Sequence, residues 1–267
     1  MKDRWAIGWV KGDWPELQQG RKAPNWLHPP PGHFYADPFV VTRDGTPWVF
    51  FEDYVGASER GHIACCANFE GPVVPVLEAD FHLSYPFLLE WEGQLFCVPE
   101  QNASGKLSLY RCLDFPGKWV EECELLSDCQ VIDPTLLHWQ NHWYLWVGEV
   151  GESARHEVLL YQSESLTGPW KPHARVPRVK WDWTGRNGGT ILSYQGRLLR
   201  PAQNRTRTYG GSLVLYEISE LSPHGYREHE WGRWEPDPGW PYPDGLHHLC
   251  ARDGYSVIDA KLFVEDL

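Results

Sequence analysis

Carboxylic acids recur at related positions along this 267-residue chain. Asp37 and Asp133 each precede a proline at the start of an apolar run, and Tyr85 holds the same place midway between them, in steps of 48 residues. Carboxylates that converge in a cleft of low dielectric constant push one another's pKa values apart. One group then ionises while another stays protonated, which is the condition for general acid–base catalysis.

A second set of polar residues closes the next apolar run of each repeat. Glu52, Glu100 and Gln203 each lie seven residues after the glycine of a turn signal. Glu149 holds the corresponding place in the third repeat, one residue out of register, and Asp259 is the fifth member. With the two aspartates that precede proline, the three glutamates make five carboxylates that the repeat brings together.

The elements that must position these residues are short strands. Each repeat contains an apolar run, a tight-turn signal such as Asp44-Gly45, a second run, and two further runs. Asp-Gly between two apolar runs is a strong hairpin signal. Two more units follow around Gln195-Gly196 and Asp253-Gly254. Five units of about four strands predict an all-β fold, a five-bladed β-propeller with four-stranded blades.

We expect a single domain over residues 1–267, closed into a ring by its N-terminal strand. The last unit is short of strands, and the segment RWAIGWV near the N-terminus is expected to supply its missing outer strand. Closure of this kind removes exposed sheet edges. Residues 25–31 are expected to form the loop that leads into blade one.

In a propeller the first strand of every blade lines the central channel, so aligned residues of different blades meet at one mouth. The first ring would contain Asp37, Tyr85, Asp133, Asn187 and His247. The second strand runs back to the same mouth and brings the second set of polar residues beside the first. Structural interpretations stay open, because aspartate before proline commonly begins a strand and strand-end glutamates can simply hold loops together.

The expected metal content of the mouth is none. The pair His247-His248 lacks the second ligand motif that accompanies zinc sites, and it can instead bond to the neighbouring backbone. A central calcium ion is compatible with the carboxylates, although calcium requires six to eight oxygen ligands. No other cofactor is expected.

Arg186, Arg200 and Gln203 lie near the channel and add a second indication. Guanidinium groups bind carboxylate or phosphate through paired hydrogen bonds, which favours an acidic sugar or a sugar phosphate as ligand. The same two arginines can instead neutralise the five carboxylates.

Composition excludes several classes of partner. The net charge of −12 argues against nucleic acid and anionic membranes. No run approaches the roughly 20 apolar residues that span a bilayer, and no leader is recognised, so a cytoplasmic location is expected. Seven cysteines without a CxxC pair predict free thiols. Sixteen tryptophans suit packing between sheets, and some could stack on sugar rings.

The motifs YADPF, FFEDY, HLSYPFLL, VPEQN, DPTLL, SLTGPWKPH, GRNGGTIL, RPAQNRTRTYGG and GLHHL run from blade one to blade five. Together they resemble the propeller domain that lies N-terminal to the transferase of plant glucosamine inositolphosphorylceramide transferases, and its stand-alone bacterial relatives. More distantly the chain resembles the five-bladed propeller glycosidases, a clan of arabinanases, β-xylosidases and invertases. The transferase chemistry does not carry over, since the chain has no Gly-rich phosphate loop.

The glycosidase resemblance implies roles for three residues. Asp37 matches the clan's general base or nucleophile, and Asp133 matches the acid that tunes the pKa of its neighbour. The clan's proton donor is a glutamate near the start of blade four, where this chain has Arg186-Asn187 followed by two glycines. A glycosidase would therefore recruit a glutamate of the second set. We favour Glu100, because it lies in blade two beside both aspartates.

The expected catalytic residues are therefore Asp37, Asp133 and Glu100. The expected substrate-binding residues are Glu52, Tyr85, Glu149, Arg186, Asn187, Arg200, Gln203, His247 and His248. The first hypothesis is a glycoside hydrolase-like enzyme that hydrolyses or transfers a glycosyl group. The alternative is a non-catalytic glycan-binding module or an accessory protein of polysaccharide or glycolipid biosynthesis. A protein-interaction scaffold ranks last, because scaffolds rarely need aligned carboxylates.

Overall fold

A computed structural model describes residues 2–149, 157–176, 178–181 and 183–264, and it has the predicted all-β fold. Five antiparallel sheets are arranged as the blades of a β-propeller. Each blade has four strands in order from the axis outwards, and in blade three the outer position is shared by two short strands.

The strands are given by blade, from the innermost outwards. Blade one comprises His33–Arg43, Thr46–Val55, Arg60–Ala67 and Val74–Leu77. Blade two comprises Ser84–Trp91, Gln94–Glu100, Leu107–Asp114 and Lys118–Leu126. Blade three comprises Val131–Trp139, His142–Glu149, Glu157–Ser163, and the short pair Lys171–Pro172 and Arg178–Trp181. Blade four comprises Leu192–Tyr194, Arg197–Asn204, Ser212–Ser222 and Gly225–Trp234.

Blade five joins the two ends of the chain, and here the prediction was partly wrong. Its order is Leu249–Arg252, Tyr255–Val264, Lys2–Lys11 and Asn25–Leu27, so the N-terminal strand is the third strand. The outer strand comes from the segment that was expected to be a loop. The reason is burial: Trp5, Ala6 and Ile7 are successive and all buried. Successive side chains of a strand point to opposite faces, so this strand needs cover on both sides.

The innermost hairpin of each blade turns through two residues with positive φ, as the turn signals predict. These pairs are Asp44-Gly45, Glu92-Gly93, Gln140-Asn141, Gln195-Gly196 and Asp253-Gly254. Two such residues define the type I′ turn, whose twist matches that of the flanking strands. The turns fix the register of each hairpin, and through it the place where each inner strand begins.

In the part of the chain that the structure describes, helical structure is confined to Trp14–Gln18 and a 3-10 turn at Asn102–Ser104. Among the described residues, no helix is long and apolar enough to cross a membrane. The apolar core lies between the blades. The prediction of free thiols is confirmed for all seven cysteines, four of which are buried.

Candidate active site

The first strands of blades one, two and three begin with the same β-bulge. The strand register shifts at Asp37, Tyr85 and Asp133, and these residues have φ of 53°, 44° and 49°. A residue before proline avoids the helical regions of φ and ψ, and positive φ is costly for a residue with a side chain. Such bulges commonly re-aim a side chain. Here each re-aimed side chain meets groups from other blades.

Asp37 is buried between two histidines of blade five. Its Oδ1 lies 3.6 Å from Nδ1 of His248 and 4.0 Å from Nδ1 of His247. Burial alone would raise the pKa of Asp37, but contact with His248 and the charges of His247 and Arg186 hold it below the ordinary value. Asp37 is therefore ionised at neutral pH, as a general base must be.

Asp259, from the second strand of blade five, organises this side of the site. Its Oδ2 accepts the backbone N–H of Asp37 at 2.9 Å, and its Oδ1 accepts that of His247 at 3.1 Å. Nδ1 of His247 lies 2.7 Å from Asp259 Oδ2. Burial lowers the pKa of His247, but the Asp259 carboxylate outweighs burial and raises it above the ordinary value. The ring also stacks on Trp5, with 3.9 Å between centroids.

Asp37, His247 and Asp259 are close enough to suggest a cation, since one ligand atom from each lies within 4.8 Å of the others. The donors do not fit calcium, which takes six to eight oxygens, because one of the three is an imidazole nitrogen. Both Asp259 oxygens also already accept backbone N–H groups. The cluster is better described as an ion pair beside a carboxylate, and no catalytic step is derived through a metal.

Asp133 is fully buried and paired with Arg186. The Arg186 Nη2 donates to Oδ1 at 3.0 Å, and its Nε donates to Oδ2. This paired geometry is the strong form of a carboxylate–guanidinium contact. Asn187 supports the arrangement by donating from Nδ2 to the Asp133 carbonyl at 2.8 Å. Arg186, which precedes the first strand of blade four, thus engages both carboxylate oxygens of Asp133.

Glu100 and Glu52 are the buried glutamates of the second set of polar residues. Burial, and next the charge of Asp133, raise the pKa of Glu100 to about 8. Burial and the charges of Asp37, Glu100 and Asp259 raise the pKa of Glu52 well above its ordinary value. Both groups are protonated at neutral pH beside an ionised Asp37. Opposite protonation states in one cluster provide a base and a proton donor.

Glu100 also has a structural contact. Its Oε2 accepts the backbone N–H of Asp133 at 3.1 Å, which satisfies the donor that the bulge leaves unpaired. Asp259 does the same for Asp37 between blades five and one. Glu100 and Asp259 therefore each hold the bulge of the next blade, and the proton of Glu100 is left for its other oxygen.

His82 was not predicted, and it connects Glu52 to the surface. Its Nδ1 accepts the backbone N–H of Gly61 at 3.0 Å, so in the neutral ring the proton is on Nε2. Nε2 lies 3.4 Å from Oε1 of Glu52, and the His82 side chain is 37% exposed. Burial lowers the pKa of His82, which keeps the ring neutral at neutral pH. No repeated spacing marks this residue.

Glu149 lies apart from the other acids because its strand is paired one residue out of register with the first strand of the blade. In blades one and two, Glu52 and Glu100 pair with the residue two places before the proline of the first strand, namely Ala36 and Ser84. In blade three the residue two places before the proline pairs with Gly148 instead, and Glu149 pairs with the residue before that one. A slip of one residue turns a side chain to the other face. Glu149 is accordingly on the rim, 3.4 Å from Arg178.

Three of the expected substrate-binding residues lie behind the site rather than in it, namely Asn187, Arg200 and Gln203. The Arg200 guanidinium is fully buried, pairs with Glu228 and donates to Asn187 Oδ1 at 3.0 Å. Gln203 donates from Nε2 to the Asn187 carbonyl at 2.9 Å. These contacts position Asn187 and, through it, Asp133. Their proposed roles in ligand binding stay predictions, as do all the assigned catalytic roles.

Tyr85 is also fully buried, and its hydroxyl joins three blades. It accepts the backbone N–H of Gly189 at 2.9 Å, lies 3.2 Å from the Gly189 carbonyl and 2.8 Å from Oγ1 of Thr135. Tyr85→Phe should therefore destabilise the fold by about 2 kcal/mol, because buried polar groups are left unpaired. Urea denaturation measures the change.

The matched control for Tyr85→Phe is Tyr144→Phe. Tyr144 is equally buried, and within the described part of the chain its hydroxyl has no hydrogen-bond partner. Its removal should leave the free energy of unfolding unchanged or slightly increased. Equal losses in the two variants would contradict the bridging role of the Tyr85 hydroxyl.

The raised pKa of Glu100 has a consequence for stability. Between pH 4.5 and about 8 the folded protein keeps a proton that the unfolded chain has lost, so this group's contribution to stability falls as pH rises. Glu100→Gln removes that loss, which is at most on the order of 5 kcal/mol. We expect the variant's Tm, relative to wild type, to be several degrees higher at pH 9 than at pH 5.

Calorimetry at the two pH values measures this difference. Glu149→Gln on the rim is the control, and it should shift Tm equally at pH 5 and pH 9. A Glu100→Gln effect that is also the same at both pH values would show that Glu100 does not titrate in this range.

Comparison with known proteins agrees with this fold. Residues 27–234 match the family model described as glucosamine inositolphosphorylceramide transferase 1, N-terminal, and the chain belongs to that family. It is 32% identical over 208 residues to glucosamine inositolphosphorylceramide transferase 1 of Oryza sativa subsp. japonica, covering 74% of this chain and 28% of that protein. The Arabidopsis thaliana protein is 31% identical over 210 residues, covering 75% and 27%. The chain thus spans less than a third of these relatives.

Solved structures with the same fold are propeller glycosidases. The exo-β-1,3-galactanase of Phanerochaete chrysosporium superposes with a TM-score of 0.58 and 14% identity, covering 77% of this chain and 51% of that chain. The GH32 β-fructofuranosidase of Bombyx mori gives 0.59 and 16%, covering 85% and 55%. At these identities the likeness concerns the fold alone. The two expected relationships, to the plant domain and to the propeller glycosidases, are confirmed.

Proposed function

We propose that the chain is a glycoside hydrolase-like enzyme that transfers a glycosyl group to water or to another acceptor at the buried carboxylates. The observation that carries the proposal is that Asp37 and Glu100 are buried in one cluster, where the pKa of Asp37 is lowered and that of Glu100 is raised. Proton transfer needs both states at the same pH. The fold shared with propeller glycosidases supports the proposal without assigning an activity to this chain.

The residues have separate tasks in this proposal. Asp37 accepts the proton of the attacking water, or attacks the anomeric carbon itself, and Glu100 donates its proton to the departing glycosidic oxygen. Asp133 does not act as a base, since Arg186 engages both of its oxygens. It orients Glu100 through its backbone N–H and raises the pKa of Glu100 by its charge.

The test is a proton NMR time course with purified protein and a panel of furanosides, pyranosides and acidic oligosaccharides. A new anomeric signal is expected for one class of substrate. Its configuration distinguishes the two roles of Asp37, because inversion requires a base and retention a nucleophile. Absence of turnover across the panel would reject the enzyme.

Glu52 is the competing candidate for the proton donor. Substrates with good and poor leaving groups distinguish it from Glu100. A dinitrophenyl glycoside departs without protonation, so a variant that lacks only the donor still cleaves it. Glu100→Gln is expected to lose activity on an alkyl glycoside and keep it on the dinitrophenyl glycoside. The same pattern in Glu52→Gln, and not in Glu100→Gln, would assign the donor to Glu52.

A second candidate function is a glycan-binding module that assists glycolipid or polysaccharide biosynthesis. Arg186 at the place of the expected acid favours it, because the guanidinium neutralises Asp133. The curated relatives are named as transferases and are much longer than this chain, which supports an accessory role. Sugar binding that persists in Asp37→Asn, with no bond cleavage in either protein, would establish the binding module.

A further inference from the structure

An exposed aromatic ring stands at the mouth of the carboxylate cluster, on the loop between the second and third strands of blade four. This residue, Tyr209, is 43% exposed. Desolvation raises the pKa of its hydroxyl, and the charges of Asp37, Asp133 and Glu100 add to that rise, so the ring lies within electrostatic reach of all three acids. The proposed chemistry leaves Tyr209 without a task.

The backbone of this loop is anchored to blade five. Lys261 is fully buried there, and its Nζ donates to the Tyr209 carbonyl. The next residue is Gly210, whose φ of 56° favours glycine. A Cβ atom on Gly210 would lie 2.5 Å from the Trp5 ring and 2.8 Å from the His247 ring. The loop therefore approaches the site as closely as a chain without a side chain allows, and this approach fixes where Tyr209 lies.

The Tyr209 ring also packs against side chains of the site. Its plane is perpendicular to the rings of Trp5 and His247, with 6.3 Å and 5.5 Å between centroids. The Arg186 guanidinium lies 5.5 Å from its centre. A ring that is already ordered binds a ligand at little cost in conformational entropy. We call Tyr209 and the four residues that hold it the Tyr209 platform; those four are Trp5, Gly210, His247 and Lys261.

The exposed fractions of the acids decide which of them can meet a ligand on the platform. Asp37, Glu52 and Glu100 keep 7%, 5% and 6% of their surface exposed, whereas Asp133 and Asp259 are fully buried. The lowered pKa of Asp37 leaves it an acceptor, and the raised pKa values of Glu52 and Glu100 leave them O–H donors. Sugar hydroxyl groups both donate and accept, so they match this mixed set.

The two arginines that suggested an anionic ligand are engaged by the protein itself. Arg186 directs Nε and Nη2 to the carboxylate of Asp133. Arg200 is fully buried and pairs with Glu228. The ionised carboxylate of Asp37, by contrast, keeps part of its surface exposed at the mouth. An uncharged ligand therefore suits this mouth better than an anion.

We infer that Tyr209 is an aromatic platform on which an uncharged sugar ring stacks while its hydroxyl groups bind Asp37, Glu52 and Glu100. The apolar C–H face of a pyranose or furanose fits a flat phenol ring, and ligand pockets commonly combine aromatic side chains with a few placed polar groups. The inference deepens the proposed function and rests on it for the presence of a sugar at the cluster. It applies equally to the enzyme and to the glycan-binding module.

Saturation-transfer NMR tests the platform with methyl β-galactopyranoside, methyl β-xylopyranoside, methyl α-arabinofuranoside and galactitol. Galactitol carries the hydroxyl groups of galactose without a ring face. Wild type is expected to bind at least one glycoside about tenfold more tightly than galactitol, because the rigid ring is preorganised for stacking. The strongest saturation should fall on the C–H protons of one ring face. No binding of any glycoside, or equal binding of galactitol, would overturn the inference.

The charge of the ligand is tested with the methyl glycoside of galacturonic acid. It should bind no more tightly than methyl β-galactopyranoside, because the exposed Asp37 carboxylate repels it. Tighter binding of the acid would overturn the assignment to uncharged sugars.

Substitutions of Tyr209 separate the ring from the hydroxyl group. Tyr209→Ala should weaken binding of the best glycoside about tenfold, because buried aromatic contacts carry much of a ligand's affinity. Tyr209→Phe keeps the ring and should bind as wild type does. A loss in Tyr209→Phe equal to that in Tyr209→Ala would assign the contact to the hydroxyl and overturn the stacking. If Tyr209→Ala melts below wild type, Tyr209→Leu replaces it, since leucine fills the space without an aromatic face.

The matched control is Trp139→Ala. Trp139 is 37% exposed, but it ends the first strand of blade three, beside the turn at the opposite end of the propeller. Its removal should leave glycoside binding unchanged. Equal losses in Trp139→Ala and Tyr209→Ala would contradict a specific role for Tyr209.

Failure of the platform is distinguishable from failure of the proposed enzyme. Glycoside binding that depends on the Tyr209 ring, without turnover of any glycoside, would support the platform and reject the catalysis. Turnover whose KM and kcat are both unchanged in Tyr209→Ala would support the enzyme and overturn the platform.

Discussion

Asp37→Asn is expected to reduce turnover on the order of 10³-fold, because the amide cannot accept the proton that the reaction must release. The substitution preserves shape, so the contacts with His247 and His248 keep their spacing. Initial rates on the best substrate of the glycoside panel measure the loss, and a thermal melt of the same sample measures folding.

Stability should respond to the same substitution in a pH-dependent way. The pKa of Asp37 is depressed in the folded protein, so its contribution is present at neutral pH and is lost as pH falls through the folded pKa. The gap in Tm between wild type and Asp37→Asn should therefore close in acid. Glu149→Gln, on the rim, should keep its rate within about twofold. A fully active Asp37→Asn protein would contradict the role of Asp37 as base.

The second large effect is expected at Asp133. Asp133→Ala leaves the nearly buried Arg186 guanidinium without its paired acceptor, which should cost about 3–5 kcal/mol of unfolding free energy. The double variant Asp133→Ala with Arg186→Gln should regain part of that loss, since it buries no unpaired charge. Urea denaturation of the three proteins measures both steps.

An exposed ion pair provides the comparison for Asp133. Arg207 and Glu235 are both largely solvent-exposed, so Glu235→Ala should change the free energy of unfolding by less than about 1 kcal/mol. A loss in Asp133→Ala no larger than that in Glu235→Ala would show that the buried pair contributes little. A double variant less stable than Asp133→Ala would show that Arg186 is held by other contacts.

Sequence alone predicts the blades because their signals are local. A pair such as Asp44-Gly45 adopts its turn from its own chemistry, and the 48-residue spacing repeats it. Convergence of Asp37 and Asp133 then follows from propeller geometry. The direction of a single side chain depends instead on register, and this is why Glu149 falls outside the cluster while Glu100 lies inside it.

The residue type of Arg200 misleads, and periodicity gives no signal at His82. Arg200 is buried because its partner Glu228 lies two strands away in the same blade, a contact that no repeat encodes. His82 depends on the backbone N–H of Gly61, which is visible only in the folded chain.

The way blade five closes the ring has a consequence for synthesis on the ribosome. Lys2–Lys11 pairs along ten residues with Tyr255–Val264, so the first strand to be made waits for the last. At translation rates of about 5–20 residues per second, that wait is roughly 12–50 s. Trp5 and Ile7 lie in this waiting strand and are buried in the finished fold. The backbone groups of Lys2–Lys11 that pair with Tyr255–Val264 therefore have no partner strand until nearly the whole propeller has been synthesised.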